Sequence, residues 1–366
     1  MERKNKGLSD NSGETALNMT FIIALLAVIV LLMALVIGMF FIVLNDFAAK
    51  DGDGSAKKPS AVTTVSPDGP STPVISDKNA LFPTKESRSS YKIGTSSAVV
   101  TLSGDDFIKS NNTILVKLES DSMTSIVEKN ADAKMYPASM TKVMTLVVAC
   151  EQVTDLSKKL TVTEEIAKYA SDQGGSGVGL KVGESYSIED LLYLVIYKSD
   201  TIACLLLAND IAGSEAAFVA MMNQKVAYLG LTGTNFANCT GLYDPNNYST
   251  CRDIASIMAY ALDNEMALKC LTSFTGRPMT VGGVPCTFYS AWYSERFDDN
   301  PKLSTVTVKG GKTGYIDESG MSLVSYAVGK NGEKYINVIV GQPKGSGLSE
   351  DISTSEVKKI YNTHAK

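Results

Sequence analysis

The stretch "YPASMTKVMT", residues 136–145, sets a serine and a lysine three apart where a long apolar run begins. Lys142 is the sole charged residue between Lys134 and Glu151, and "VMTLVVAC" after it is apolar on nearly every face. A helix hydrophobic all round belongs inside a core. Residues i and i+3 of that helix share a face, about 5–6 Å apart, so Ser139 and Lys142 are predicted to meet in a buried setting. The pair S-x-x-K occurs four times, and the other three, Ser55/Lys58, Ser89/Lys92 and Ser355/Lys358, lie in polar stretches without an apolar period. Two readings of Lys142 stay open on this stretch alone: a lysine that snorkels to the surface, and a lysine whose ammonium is destabilised by burial.

Composition narrows the chemistry. The chain of 366 residues carries a net charge of -5, which leaves no basic stripe to neutralise phosphates and argues against nucleic acid as a partner. The single histidine, His364, is the third residue from the C-terminal end. A Ser-His-Asp triad and a zinc site built on two histidines are thereby disfavoured, and a hydrolase with this sequence needs a lysine or a carboxylate as its base. No metal and no cofactor is expected. Six cysteines form no C-x-x-C pair. Cys150 and Cys204 read as small core residues, and Cys239, Cys251, Cys270 and Cys286 are free to pair in an oxidising compartment, with connectivity undetermined by spacing.

Working outward from residue 139, the chain divides into segments. Phe21 to Leu44 is uncharged over 24 residues, long enough to cross a bilayer, and only Ala48-Ala49 after it resembles a processing site. Residues 1–20 read as a cytoplasmic tail and 21–44 as an uncleaved transmembrane helix. The lysines and arginine on its two sides balance, so the inward N-terminus rests on the identity of the domain. From Asp51 to Ala80, 15 of 30 residues are Gly, Pro, Ser or Thr, so 45–95 reads as a flexible linker. "DGDG" at 51–54 lacks the downstream Glu of a calcium loop and reads as part of that linker.

Residues 96–366 read as one domain. "NTILVKLE" and "TSIVEKN" are two strands around a turn at "SDSM". "SIED" at 187–190 is a capping box before "LLYLVIYK", and Thr250 to Asp253 repeats that spacing. "TIACLLLANDIAG" and "SEAAFVAMMNQKVAYLG" are helical. "STVTVKGGKTG", "GMSLVSYAVG" and "KYINVIVG" alternate with period two, the last two joined by a hairpin at "KNGE", and a helical tail follows. Strands, helices, then strands again imply an α+β fold: an antiparallel sheet flanked by helices, with a helical subdomain supplied by the middle of the chain.

Two further motifs join Ser139. "YKSDTIA" places Ser199 between two helices, and "VKGGKTGYIDESG" places Lys312, Thr313 and Gly314 on a strand. Gly314 fits where a ligand backbone approaches a strand closely. The ordered set S-x-x-K, S-D-x, K-T-G resembles that of serine β-lactamases and penicillin-binding proteins. With the phrases "EKNADAKMYPASMTKVMT", "GSGVGLKVGESYSIEDLL", "FANCTGLYDPNNYSTCRDIA" and "GKTGYIDESGMSLV", the chain from about Ile114 to its end resembles a D-alanyl-D-alanine carboxypeptidase, a low-molecular-mass penicillin-binding protein of peptidase family S11. The resemblance implies a β-lactamase/DD-peptidase-like fold and a single-pass membrane enzyme with its catalytic domain outside. The implied substrate is the peptidoglycan stem peptide, and β-lactams would be covalent inhibitors.

It also implies roles. Ser139 is the nucleophile and Lys142 its base, lowered in pKa by burial and by nearby Lys312. Ser199 relays the proton to the leaving amine. Lys312 and Thr313 hold the substrate carboxylate, and the N–H groups of Ser139 and Tyr315 form an oxyanion hole. Thr201 stands where the family has a substrate-binding asparagine, and a hydroxyl replaces a carboxamide only in part. No arginine follows Arg296 to face the terminal carboxylate, leaving Lys344 as the candidate. Two alternatives stand beside this reading. A β-lactamase would need a deacylating carboxylate, for which "EMALK" at 265–269 is the nearest match; a non-catalytic wall-binding homologue would keep only the fold. "QGGSGVG" at 173–179 is expected to be a mobile loop near the cleft, and Trp292 a core residue.

Overall fold

The computed structural model describes residues 91–102, 108–290, 303–342 and 349–365, with side chains of the last segment from 354. The expected cytoplasmic tail, transmembrane helix and most of the linker, together with Trp292, Arg296 and Lys344, lie outside the described residues. No helix among the described residues is by itself long and apolar enough to cross a membrane.

In chain order the strands and helices are β1 (Ile93–Thr101), β2 (Asn112–Leu118), β3 (Met123–Lys129), a 3-10 turn (Ala138–Met140) and α1 (Thr141–Gln152). The central part holds β4 (Lys159–Thr161), α2 (Glu164–Asp172), β5 (Ser185–Ser187), α3 (Ile188–Tyr197), α4 (Thr201–Ala212), α5 (Glu215–Tyr228), α6 (Cys251–Leu262) and α7 (Glu265–Thr272). After the hairpin β6 (Arg277–Val281) and β7 (Val284–Phe288) come β8 (Val306–Ile316), β9 (Gly320–Gly329), β10 (Lys334–Gln342) and α8 (Ser349–His364). Both N-caps form as read, with Ser187 Oγ accepting from Asp190 N–H and Thr250 Oγ1 from Asp253 N–H. Such caps contribute about 1 kcal/mol each.

The main sheet has six strands in the order β1-β3-β2-β10-β9-β8. Four of its pairings are antiparallel, but β1 runs parallel to β3, so the sheet is mixed rather than wholly antiparallel. β2 is already paired on both sides, by β3 and β10, so β3 offers β1 its open edge. Lying parallel to β3, β1 runs opposite to β2, and the link between β1 and β2 needs only to step past β3 at one end. This strand also starts at Ile93, before the boundary expected at 96. Most of its side chains are exposed, and it lacks the apolar alternation that reveals a half-buried strand.

Both faces of the sheet are covered. On β2, Ile114 and Val116 join the core with α1 and its neighbours, while Leu115 joins Val357, Ile360 and Tyr361 of α8 on the other face. Burial on both faces is why "TILV" reads as a continuous apolar run instead of an alternation. α8 is tied down by Glu356, whose carboxylate accepts from the N–H groups of Lys109 and Ser110 and from Ser110 Oγ. Ser355/Lys358, the last of the four S-x-x-K pairs, therefore belongs to the α8 face. α1 is buried at every position from Thr141 to Ala149, as its all-round apolar sequence demands. All six cysteines are free thiols, four of them fully buried.

Candidate active site

Ser139 sits on the 3-10 turn that leads into α1. Ala138 before it holds a left-handed backbone, φ +47°, which lifts Ser139 out of the preceding chain. Lys142 Nζ lies 3.3 Å from Ser139 Oγ, so the i, i+3 relation read from sequence survives although the α-helix itself starts at Thr141. Ser199 Oγ donates to Ser139 Oγ at 2.8 Å. Three side chains from two motifs 60 residues apart thus form one chain of polar atoms.

Lys142 is 1 % exposed, which decides between the two readings of it: it does not snorkel. Burial lowers its pKa from the ordinary 10.5, against the opposing pull of Cys204, Cys239 and Asp200. Of the two expected causes, burial and nearby Lys312, burial is the largest one acting on Lys142. Burial pushes the Cys204 thiol up to about 12 and the Cys239 thiol well above its ordinary range, and it also raises the Asp200 carboxyl. Lys142 Nζ also donates to the carbonyl of Thr240, which fixes its position.

Ser199 is held in the left-handed region, φ +55°, between α3 and α4. A non-glycine residue there costs on the order of 1–3 kcal/mol, so its surroundings must enforce it. Asp200, 1 % exposed, does so by accepting from Ala203 N–H at 2.9 Å as the N-cap of α4 and from Val178 N–H at 2.8 Å. Ser176 Oγ donates to the Ser199 carbonyl at 2.9 Å, and Thr201 N–H donates to the Ser176 carbonyl at 2.8 Å. The 173–179 loop, expected near the cleft, is joined through Ser176 and Val178 to the Ser199–Thr201 turn. Its glycines make the contact close: a Cβ on Gly177 would lie 2.4 Å from Asp200 Oδ2.

β8 is an edge strand and brings the third motif to Ser139. A Cβ on Gly314 would stand 3.1 Å from Ser139 N and 3.2 Å from the Pro137 carbonyl, so the strand passes against the 3-10 turn, as a close-approach glycine implies. Lys312, 2 % exposed, donates to the Thr313 carbonyl at 2.8 Å. Tyr315, the next residue along β8, pairs with Met321 of β9 and turns its hydroxyl to Asp317. Thr201 opens α4 with its side chain 2 % exposed and Oγ1 unpartnered. Its methyl packs on Gly175.

Several functional groups escaped the sequence reading. Thr240 acts through its carbonyl, Asn238 through an Oδ1 that accepts from Thr240 N–H, Thr240 Oγ1 and Gly241 N–H, and Gly241 by lying against Ala138. The phrase "NCTGLYD" contained them, but backbone roles leave no residue-type signature beyond the glycine. Glu265, the nearest match to a β-lactamase deacylating carboxylate, is 84 % exposed and pairs with Lys269 at 2.8 Å on α7. It is not a cleft residue.

The profile of the D-alanyl-D-alanine carboxypeptidase family, peptidase family S11, matches residues 99–344. D-alanyl-D-alanine carboxypeptidase DacF of Bacillus subtilis (strain 168) is 31% identical over 234 residues, 62% of this chain and 56% of the relative. DacC of Escherichia coli (strain K12), of the same name, is 32% identical over 225 residues, 59% of this chain and 53% of the relative. This chain thus spans little more than half the length of the curated relatives it matches. Among solved structures, penicillin binding protein 5 from Haemophilus influenzae superposes with a TM-score of 0.58 at 26% identity, covering 71% of this chain and 72% of that one. The S216A mutant of the Streptomyces K15 DD-transpeptidase gives a TM-score of 0.60 at 22% identity, covering 71% and 99%, a likeness of fold. With the family profile covering most of the described residues and its three motifs meeting around one serine, the chain belongs to the D-alanyl-D-alanine carboxypeptidase family, S11.

Proposed function

We propose that the protein is a serine-type D-Ala-D-Ala carboxypeptidase that removes the terminal D-alanine from peptidoglycan stem peptides through an acyl-enzyme, and that β-lactams acylate the same serine. The observation that carries this reading is the Ser199–Ser139–Lys142 chain, with Lys142 buried and its pKa lowered. A neutral Lys142 accepts the Ser139 hydroxyl proton as Oγ attacks the carbonyl between the two D-alanines. The new oxyanion is held by the Ser139 and Tyr315 N–H groups. Breakdown expels the amine of the terminal D-alanine, which takes its proton from Lys142 by way of Ser199, 2.8 Å from Ser139 Oγ. Lys312 and Thr313 bind the terminal carboxylate, and Gly314 leaves room for the substrate backbone along the β8 edge. Water then attacks the ester as Lys142 takes its proton, and Lys142 returns that proton to Ser139 Oγ as the C–O bond breaks and the shortened peptide leaves.

The test is labelling with a fluorescent penicillin, followed by assay of D-alanine release from a peptide ending in D-Ala-D-Ala. The parent is expected to label and to release D-alanine, and Ser139→Ala to do neither. Labelling that persists in Ser139→Ala, or labelling without D-alanine release, would overturn the reading.

The membrane topology belongs to the same proposal. A cell-wall substrate requires the domain outside the cell, and Phe21–Leu44 supplies an uncharged segment long enough to span. Full-length protein is expected in the membrane fraction, with external protease releasing a domain that begins between residues 50 and 95. A mature N-terminus near Lys50 in the medium would sink the uncleaved anchor.

A further inference from the structure

Past the end of β8 lies a cavity of about 400 Å³ whose wall includes Asn111, Asn112, Lys134, Tyr136, Glu318 and Ser319. Its place follows from the nucleophile turn. The Pro137 carbonyl stands against Gly314, so residues 134–136 run beside the chain that follows Gly314, and Glu318 and Ser319 lie in the turn between β8 and β9. The Tyr136 ring meets that of Tyr243 edge-on, with centroids 5.4 Å apart. Tyr243 is exposed and also borders a smaller cavity beside Thr201. Its hydroxyl is raised from the ordinary 10.0 by Tyr136 first, with Glu318 a lesser contributor, which sets Glu318 beside the pair. The two tyrosines thus stand between the reaction centre and the larger cavity.

The direction of a bound chain selects what arrives there. With the terminal carboxylate at Lys312 and Thr313 and the scissile carbonyl at the Tyr315 N–H, the acyl part of the substrate continues toward residues 316–319. The stem residues upstream of the scissile bond, about four, span roughly 13–14 Å when extended. The chain from Gly314 to Glu318 covers about 13 Å at strand spacing. The group that reaches the cavity is therefore the sugar end of the stem, not a side chain next to the scissile bond.

The wall suits such a group. Among its described residues are one cation, Lys134, and one anion, Glu318, so a ligand of either charge is attracted by one and repelled by the other. Lys134 Nζ rests 3.9 Å from the centre of the Tyr248 ring. Glu318 forms no ion pair, and the Asn111 carboxamide no hydrogen bond, among the described residues. Uncommitted donors and acceptors with no net charge match the hydroxyl and acetamido groups of a neutral ring, and the Tyr136 ring offers its C–H face an apolar surface.

We infer that this cavity is a subsite for the acetamido sugar to which the stem peptide is joined. The inference rests on the carboxypeptidase reading and narrows its substrate class to glycan-linked stem peptides in preference to free ones.

The experiment uses the full-length protein and two substrates ending in D-Ala-D-Ala: an N-acetylmuramyl pentapeptide, and the same pentapeptide carrying an N-lactyl group without the sugar. One or two net hydrogen bonds at a partly exposed wall correspond to a preference of roughly tenfold in kcat/KM for the muramyl peptide. Glu318→Ala and Asn111→Ala are each expected to narrow that ratio by slowing the muramyl peptide, and the double variant to bring it close to one. Acylation by penicillin, which carries no sugar, reports in each variant whether the reaction centre is intact. Equal kcat/KM for the two peptides in the parent overturns the subsite alone. So does a ratio that survives in the double variant, or variants that slow both peptides and penicillin acylation alike, because a purely structural role would do that. Release of D-alanine from neither peptide overturns the carboxypeptidase reading and the subsite with it.

Discussion

Lys142→Arg is expected to fold and to lose acylation by penicillin. Arginine keeps the cation and most of the length but stays ionised at any working pH, so it cannot take the Ser139 proton. The loss expected is that of a general base, roughly 10²–10⁴-fold. A guanidinium at a position 1 % exposed also strains the core, so folding is checked by circular dichroism. Lys142→Met, which removes the base without burying a charge, should be equally inactive in a well-folded protein. In the parent, only the neutral amine is competent, so the acylation rate should rise with pH through the Lys142 pKa. Burial places that limb below the ordinary 10.5. Asp200 opposes the lowering, and Asp200→Asn, which keeps the N-cap oxygen, should move the limb to lower pH. Asp200 is itself raised by burial and pulled down by Lys142, so the limb belongs to the pair. Near-parent acylation by Lys142→Arg would require another base.

What the sequence disclosed follows from what each residue contributes. Lys142 was legible because a lone cation in an all-round apolar helix has few structural uses, and Gly314 because a glycine inside a strand asks for a close neighbour. Ser199 and Lys312–Thr313 gained meaning from their order along the chain relative to Ser139. The interior strands were legible through their apolar runs. β1 was not, because its side chains are mostly exposed and its place is set by the open edge of β3. The joining of the 173–179 loop to the Ser199–Thr201 turn was hidden because it depends on Asp200, a residue that reads as part of a motif until its carboxylate is seen buried. The Thr240 carbonyl was hidden for a deeper reason: every residue has one, and only the fold selects which carbonyl faces the lysine.

Gly241 is where that hidden backbone role becomes measurable. It adopts φ +75°, and a Cβ there would lie 2.0 Å from the Ala138 carbonyl oxygen, 2.5 Å from its carbon and 3.0 Å from Ser139 N. Those atoms cannot yield cheaply. Ala138 is already in the left-handed region, and Gly314 of β8 leaves only 3.1 Å between its own notional Cβ and Ser139 N. Relief must come from moving the nucleophile turn, the 238–241 segment, or both, and that segment carries the Thr240 carbonyl that fixes Lys142. Misplacing reacting groups by about 1 Å costs on the order of 10²-fold in rate, so Gly241→Ala should acylate at least that much more slowly. The left-handed backbone alone would add about 1–2 kcal/mol of destabilisation. Gly213→Ala separates the two effects, because Gly213 caps α4 at φ +76° with nothing within 4 Å of a notional Cβ. It should lose similar stability from strain and acylate like the parent. If Gly241→Ala acylates as fast as Gly213→Ala, the Ala138–Gly241 contact does not position Ser139, and the geometry of the nucleophile must be held by α1 and β8 alone.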